Sequence, residues 1–154
     1  MGAHVKITYQ IRKEHTELLG SLDGLVELKK EDEEKRREGI RAIMISLDAH
    51  GKGEEQTLFP ALRKLDATRS IALRAVEEHR ILRIIMAEET ATGVRDEIWL
   101  PRLVILRNLI KLHMQHEEDE VLMKADELFT ETFLKELGKK FDFVKKTVKK
   151  TYLS

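Results

Sequence analysis

The feature that most narrows the possible folds is a pattern written twice. Residues 48–60, DAHGKGEEQTLFP, set beside residues 111–123, KLHMQHEEDEVLM, bring His50, Glu54, Glu55 and Leu58 over His113, Glu117, Glu118 and Val121. With an offset one residue longer, His15 in RKEHTELL falls over His79 in VEEHRILR, each with a glutamate immediately before it. The chain thus repeats one plan: a first helix with a single histidine, then a second with H-x-x-x-E.

Apolar periodicity gives the helices that carry the plan. Over residues 5–30, Ile11, His15, Leu18, Leu22, Leu25 and Val26 share a face. The charged run Lys29 to Glu38 breaks that stripe and reads as a solvated turn plus the polar start of the next helix. Residues 35–66 align Ile43, Leu47, His50, Glu54, Leu58 and Ala61; residues 68–92 align Ala72, Val76, His79, Leu82 and Met86. A connection at Gly93 leads to a stripe over 96–126 through Leu106, Ile110, His113, Glu117 and Val121. A fifth amphipathic helix over 129–151 turns Phe133, Leu137, Phe141, Val144 and Val148 inward and Lys139, Lys140, Lys145, Lys146, Lys149 and Lys150 outward. Pro60 is expected to kink the second helix and Pro101 to sit in the opening turn of the fourth.

Only eight aromatics and two prolines occur in 154 residues, so local propensity agrees with the periodicity. The expected fold is all-α, one domain over residues 1–154: an up-down-up-down four-helix bundle over about 5–126 and an additional C-terminal helix over about 129–151.

Residues i and i+4 of a helix are neighbours on one face, so each H-x-x-x-E pair can aim at one point. Six histidines and 20 glutamates produce about one such pair by chance, and a lone core histidine is most often a hydrogen-bonded packing residue. Register separates signal from decoy: His50 and His113 fall at equivalent points of apolar stripes, whereas Glu120, four residues after His116, falls toward a polar side. Six polar groups on core-facing stripes need a shared partner, because burying them alone is costly. Four imidazoles and two carboxylates suit iron, manganese, zinc or copper and not calcium or magnesium. The predicted metal ligands are His15, His50, Glu54, His79, His113 and Glu117. The two-fold plan favours two ions, each taking two histidines, with Glu54 and Glu117 between them and a position left open for a small molecule. His116 is left as a ligand, a group behind the ligands or a surface residue; Glu55 and Glu118 as solvated or supporting; His4 as solvent-exposed. Gly51 and Gly53 interrupt a helix interior, either as a local bend or surface position, or to leave a small-molecule path or admit another helix.

These residues, in this order and with the LFP context after Glu54, resemble the hemerythrin family, specifically its HHE cation-binding domains, over about residues 8–126. The resemblance implies a four-helix bundle around a non-haem di-iron site, two iron ions with an oxo or hydroxo bridge, and oxygen carriage, sensing, or reaction with peroxide or nitric oxide. The oxygen carriers of that family have H-x-x-x-H on the third helix; here Arg83 stands four residues after His79, and the fourth helix offers Glu117 where they place Asp one residue later. This argues against reversible oxygen carriage and for a scavenger, sensor or small oxidoreductase; iron buffering or delivery is the non-enzymatic alternative. Ferritin-like carboxylate proteins use Glu-x-x-His, and no histidine here has a glutamate three residues before it.

Composition removes other classes. Lys+Arg and Asp+Glu balance at 28 each, so no global positive field favours nucleic acid or an anionic membrane. The absence of cysteine excludes disulfides and thiolate metal sites. No apolar run approaches the roughly 18 residues of a membrane span. The amino-terminal residues have no apolar leader, and the expected location is the cytoplasm.

Overall fold

The computed structural model describes residues 5–154; His4 lies outside them. The chain forms α1 (Ile7–Val26), α2 (Glu33–Gln56), α3 (Leu58–Arg63), α4 (Arg69–Ala91), α5 (Trp99–His116), a π-helical stretch (Glu117–Leu122), α6 (Met123–Leu128) and α7 (Glu131–Thr151). No strand occurs among the described residues. Helices α1, α2, α4 and α5 form the expected bundle, and α7 packs along α1 and α2. None of the described helices is long and apolar enough to cross a membrane.

The buried side chains form two clusters, one at each end of the bundle. One joins Ile7 and Ile11 to Phe59, Leu62, Leu122 and Phe141. The other joins Leu22 and Leu25 to Ile43, Trp99, Leu106 and Ile110. The positions between them, 15 on α1, 50 and 54 on α2, 79 on α4, and 113 and 117 at the end of the fourth helix, are those of the predicted ligands. Burying each large aliphatic side chain contributes about 1.5–3 kcal/mol, and these clusters offset the cost of holding polar groups between them.

Several local expectations are corrected. The second helix does not run through Pro60 with a kink; it ends at Gln56, and α3 restarts at Leu58. Proline has no N–H to give back to residue 56, so it fits the first turn of a new helix, where that donor is not needed. Thr57, at φ −127° and ψ −74°, is the break, and its hydroxyl donates to the Gly53 carbonyl at 2.6 Å. Pro101 sits in the opening turn of α5, as expected. Val76 is 37% exposed instead of facing the core, because Ala72, Ala75 and His79 take the buried side of α4. The fifth helix starts at Glu131, capped by Thr130 Oγ1 accepting from the Phe133 N–H. Lys145 turns inward: it pairs with Glu14, and its ammonium lies 4.4 Å from the Phe141 ring centroid.

The fourth helix is not regular. At Glu117 it widens into the π-helical stretch, in which each N–H reaches back five residues. Val121 and Leu122 are then both buried, and Glu117 is buried at the site while the adjacent, partly exposed Glu118 reaches His15.

Candidate metal centre

All six predicted ligands are buried, and the bundle brings them together. His15, His50, Glu54 and Glu117 each present an atom to a common space in which these atoms lie within 4.8 Å of one another; His79, His113 and Glu117 do the same beside it. Glu117 belongs to both groups. Its Oε1 is 3.2 Å from His15 Nε2, and its Oε2 is 3.2 Å from His113 Nε2 and 3.8 Å from His79 Nε2. Glu54 Oε1 lies 3.2 Å from His50 Nε2 and 3.6 Å from His79 Nε2, so this carboxylate also stands between the histidine pairs.

The outward nitrogens are held by a closed ring of carboxylates. His50 Nδ1 pairs with Glu14 of α1 at 3.0 Å, His79 Nδ1 with Glu55 of α2 at 2.8 Å, His113 Nδ1 with Glu78 of α4 at 2.7 Å, and His15 Nδ1 with Glu118 of the π-helical stretch at 2.8 Å. An ionised carboxylate only accepts, so each Nδ1–H donates, and Nε2 of a neutral ring turns its lone pair inward, the tautomer that a metal ion requires. Three of these carboxylates are in turn held by cations. Lys145 pairs with Glu14; Arg83 donates to both oxygens of Glu55, at 3.0 and 2.6 Å; Arg74 Nε donates to Glu78 at 3.1 Å. Burial pushes Glu55 upward, but His79 and Arg83 outweigh it and hold this carboxyl down at about 2.

The interior atoms have the chemistry of a cation site. Both oxygens of Glu54 and of Glu117, and Nε2 of His50, are buried without a hydrogen bond. Orphaned carboxylates of this kind cost several kcal/mol each unless a proton or a metal ion neutralises them. Burial and the Glu117 charge raise Glu54 well above the usual carboxylate range. Burial pushes Glu117 the same way, but the Glu54 carboxyl and His113, His15 and His79 together hold it well below. Burial lowers His79, while Glu117, Glu55 and Glu54 raise it further, to about 9. A metal ion needs the lone pairs of neutral imidazoles and ionised carboxylates, so binding one at such a cluster is expected to release protons.

Residues 6–125 match the sequence pattern of the hemerythrin HHE cation binding domain. The chain belongs to the hemerythrin family. Membership implies metal-ion binding, and the cluster of His and Glu donors offers the ligands for it. No curated protein and no solved structure matches the chain. Helix α7 lies beyond the matched residues, yet it touches the His and Glu cluster: the Phe141 ring stands edge-on to His50 with centroids 5.8 Å apart.

The remaining residues singled out from the sequence separate clearly. His116 belongs to neither ligand group; its side chain is 37% exposed and its Nδ1 faces an Arg74 N–H at 3.1 Å. Glu120, the decoy, pairs with Arg74 at 3.4 Å outside the cluster. Glu55 and Glu118 support histidines, as described. Arg83 neither caps the cluster nor points freely to solvent, since Glu55 and Asp48 hold it. The two glycines act differently. Gly51 borders a cavity of about 40 Å³ that His15, His50, His79 and His113 line together with Leu47, Leu82, Met86, Ile110 and Met114. Gly53 admits another helix: a Cβ there would meet two Phe141 ring atoms at 2.7 Å. Sequence reasoning noticed Glu14 and Glu78 only as neighbours of His15 and His79. Their signal was the repetition of Glu-His at equivalent points of the repeat.

Proposed function

We propose that this hemerythrin-family chain holds two iron ions through His15, His50, Glu54, His79, His113 and Glu117 and reacts with or senses oxygen, peroxide or nitric oxide. The observation that carries this reading is the juxtaposition of two ligand groups sharing Glu117 with a small cavity lined by ligand histidines and apolar side chains. When bound, the ion pair would supply two adjacent redox-active Lewis acids.

The chain's own residues account for the rest. Glu14, Glu55, Glu78 and Glu118 fix the imidazole tautomers and orientations. Glu54 and Glu117 supply the negative charge that favours two cations close together. Leu47, Leu82 and Ile110 give the cavity an apolar wall, and its space admits a diatomic molecule or peroxide. Arg83 is committed to Glu55 and cannot serve as a fifth nitrogen ligand, so no residue of α4 beyond His79 fills a coordination position. This favours reaction over reversible carriage.

Metal analysis and the near-ultraviolet and visible spectrum of protein purified in air test the proposal. Two irons per chain with ferric-pair absorption are expected, as is loss of much of the metal in Glu54→Ala and in Glu117→Ala. Full, unchanged metal content in both variants would overturn the ligand assignment. Cycles of reduction, exposure to oxygen and evacuation separate reaction from carriage: recovery of the reduced spectrum without added reductant would make this protein an oxygen carrier.

A further inference from the structure

The cavity beside the ligand cluster contains two thioethers that the ligand set does not use. Met114 is 3% exposed and Met86 half-buried, and both line the space that His15, His50, His79 and His113 share. Met114 and the four histidines of the lining are buried, whereas Met86, Asp48 and Arg83 are half-buried. Elsewhere, Met123 is 48% exposed, and Met44 packs on the apolar cluster around Trp99.

Thioethers are soft nucleophiles, and methionine oxidation ordinarily follows access to the oxidant. In a chain oxidised from bulk solvent, Met123 therefore reacts first and Met114 last. A peroxide that enters the cavity meets the opposite order, because the walls confine it against Met86 and Met114.

We propose that Met86 and Met114 form an internal oxidation site, at which hydrogen peroxide admitted to the cavity is consumed by methionine; this rests on the di-iron reading above. One peroxide oxygen forms a bond to Sδ as the O–O bond breaks, and the other leaves as water with both hydrogens. The sulfur gives up two electrons, peroxide takes them, and no further reductant is needed. The product is a methionine sulfoxide, polar and one oxygen larger, in a space of about 40 Å³. It obstructs the cavity and makes its wall hydrophilic, so the site limits its own exposure to peroxide until a methionine sulfoxide reductase restores the thioether.

The test treats the full chain, iron-loaded and metal-free, with limiting hydrogen peroxide and reads the added oxygen on each methionine peptide by mass spectrometry, with iron content measured on the same samples. In the loaded chain Met114 and Met86 should gain oxygen faster than Met123, by on the order of tenfold. In the metal-free chain, where no iron would draw peroxide into the cavity, Met123 should lead. A Met86→Leu, Met114→Leu double variant, close in volume to the parent, should keep its iron, consume less peroxide per chain and leave Met123 to react. A loaded chain in which Met123 still reacts first would overturn the oxidation site and leave the metal assignment standing. A chain that takes up no iron would overturn both.

Discussion

Replacing Gly53 by alanine tests the contact through which α7 reaches the ligand cluster. In a helix interior alanine is favoured over glycine by about 1 kcal/mol. That gain should appear at Gly20 and Gly24 of α1, where an added Cβ has no neighbour within 4 Å. At Gly53 the added carbon meets Phe141 Cδ1 and Cε1 at 2.7 Å and Lys145 Cγ at 3.3 Å. Phe141 is fully buried in the cluster with Ile7, Ile11 and Leu137, so its ring moves only at the expense of that packing. Overpacking of this kind costs about 1–3 kcal/mol, which exceeds the propensity gain. Gly53→Ala should therefore lose about 1 kcal/mol and Gly24→Ala gain up to about that much. The difference of about 2 kcal/mol corresponds to about 4–8 °C in Tm for a chain of this size. Thermal and urea unfolding of the metal-free protein, followed by circular dichroism, provide the measurement. Adding Phe141→Leu to Gly53→Ala should recover part of the loss, more than the two single changes predict together. A Gly53→Ala protein as stable as Gly24→Ala would refute the close approach of α7.

Other perturbations probe the polar groups. Glu89 is buried without a hydrogen bond, and its carboxyl, raised by burial against the opposing pull of Arg102, titrates at about 7. Because the folded value exceeds the unfolded one, the contribution of Glu89 to stability is greatest below the ordinary carboxylate range and falls as pH rises toward and through 7. Glu89→Gln should thus stabilise the chain at pH 8, by about 2 kcal/mol after solvent screening is allowed for, and change little at pH 4; equal effects at both pH values in denaturant titrations would contradict this. Lys145→Met keeps the stem over Phe141 but releases Glu14 from its cation, and should lower metal affinity up to about tenfold in chelator competition with helicity unchanged; unaltered retention would remove Lys145 from the support of His50. His113→Ala should lose metal while Glu120→Ala keeps it, and the reverse outcome in metal analysis would move the fourth-helix motif to His116 and Glu120.

The fold was legible because the helical stripes are long and the predicted ligands interrupt them at the same level. His15, His50, His79 and His113 are polar residues at positions where periodicity demands apolar ones, and that conflict marked the cluster. The break at Thr57 was harder to place, because Pro60 signals a disruption but its missing donor acts earlier in the chain than the proline itself. The π-helical stretch at Glu117 has no glycine or proline to announce it; four acidic residues in succession look like a solvated turn of ordinary helix until Glu117 is buried and Glu118 bonds His15. Lys145 was hidden by its neighbours, since in a run of lysines nothing local distinguishes the one that faces Glu14. The ring of bracing carboxylates is a property of pairs on different helices, and a single sequence supplies no register between them.

That ring has a further meaning. Its four links alternate: Glu14 to His50 and Glu78 to His113 lie within helix pairs, whereas Glu55 to His79 and Glu118 to His15 join one pair to the other. A cycle of this kind needs only half of its instructions, because two copies of one helical hairpin, related by a two-fold axis, would close it equally well. The site is in this sense an interface between twins carried on a single chain. Helix α7 ends the equivalence. It packs on α1 and α2, holds Glu14 through Lys145 and touches His50 through Phe141, whereas Glu78, the counterpart of Glu14, is held by Arg74 of its own helix. The two donor groups thereby acquire different surroundings, and halves that symmetry would make interchangeable become a pair with a distinct left and right.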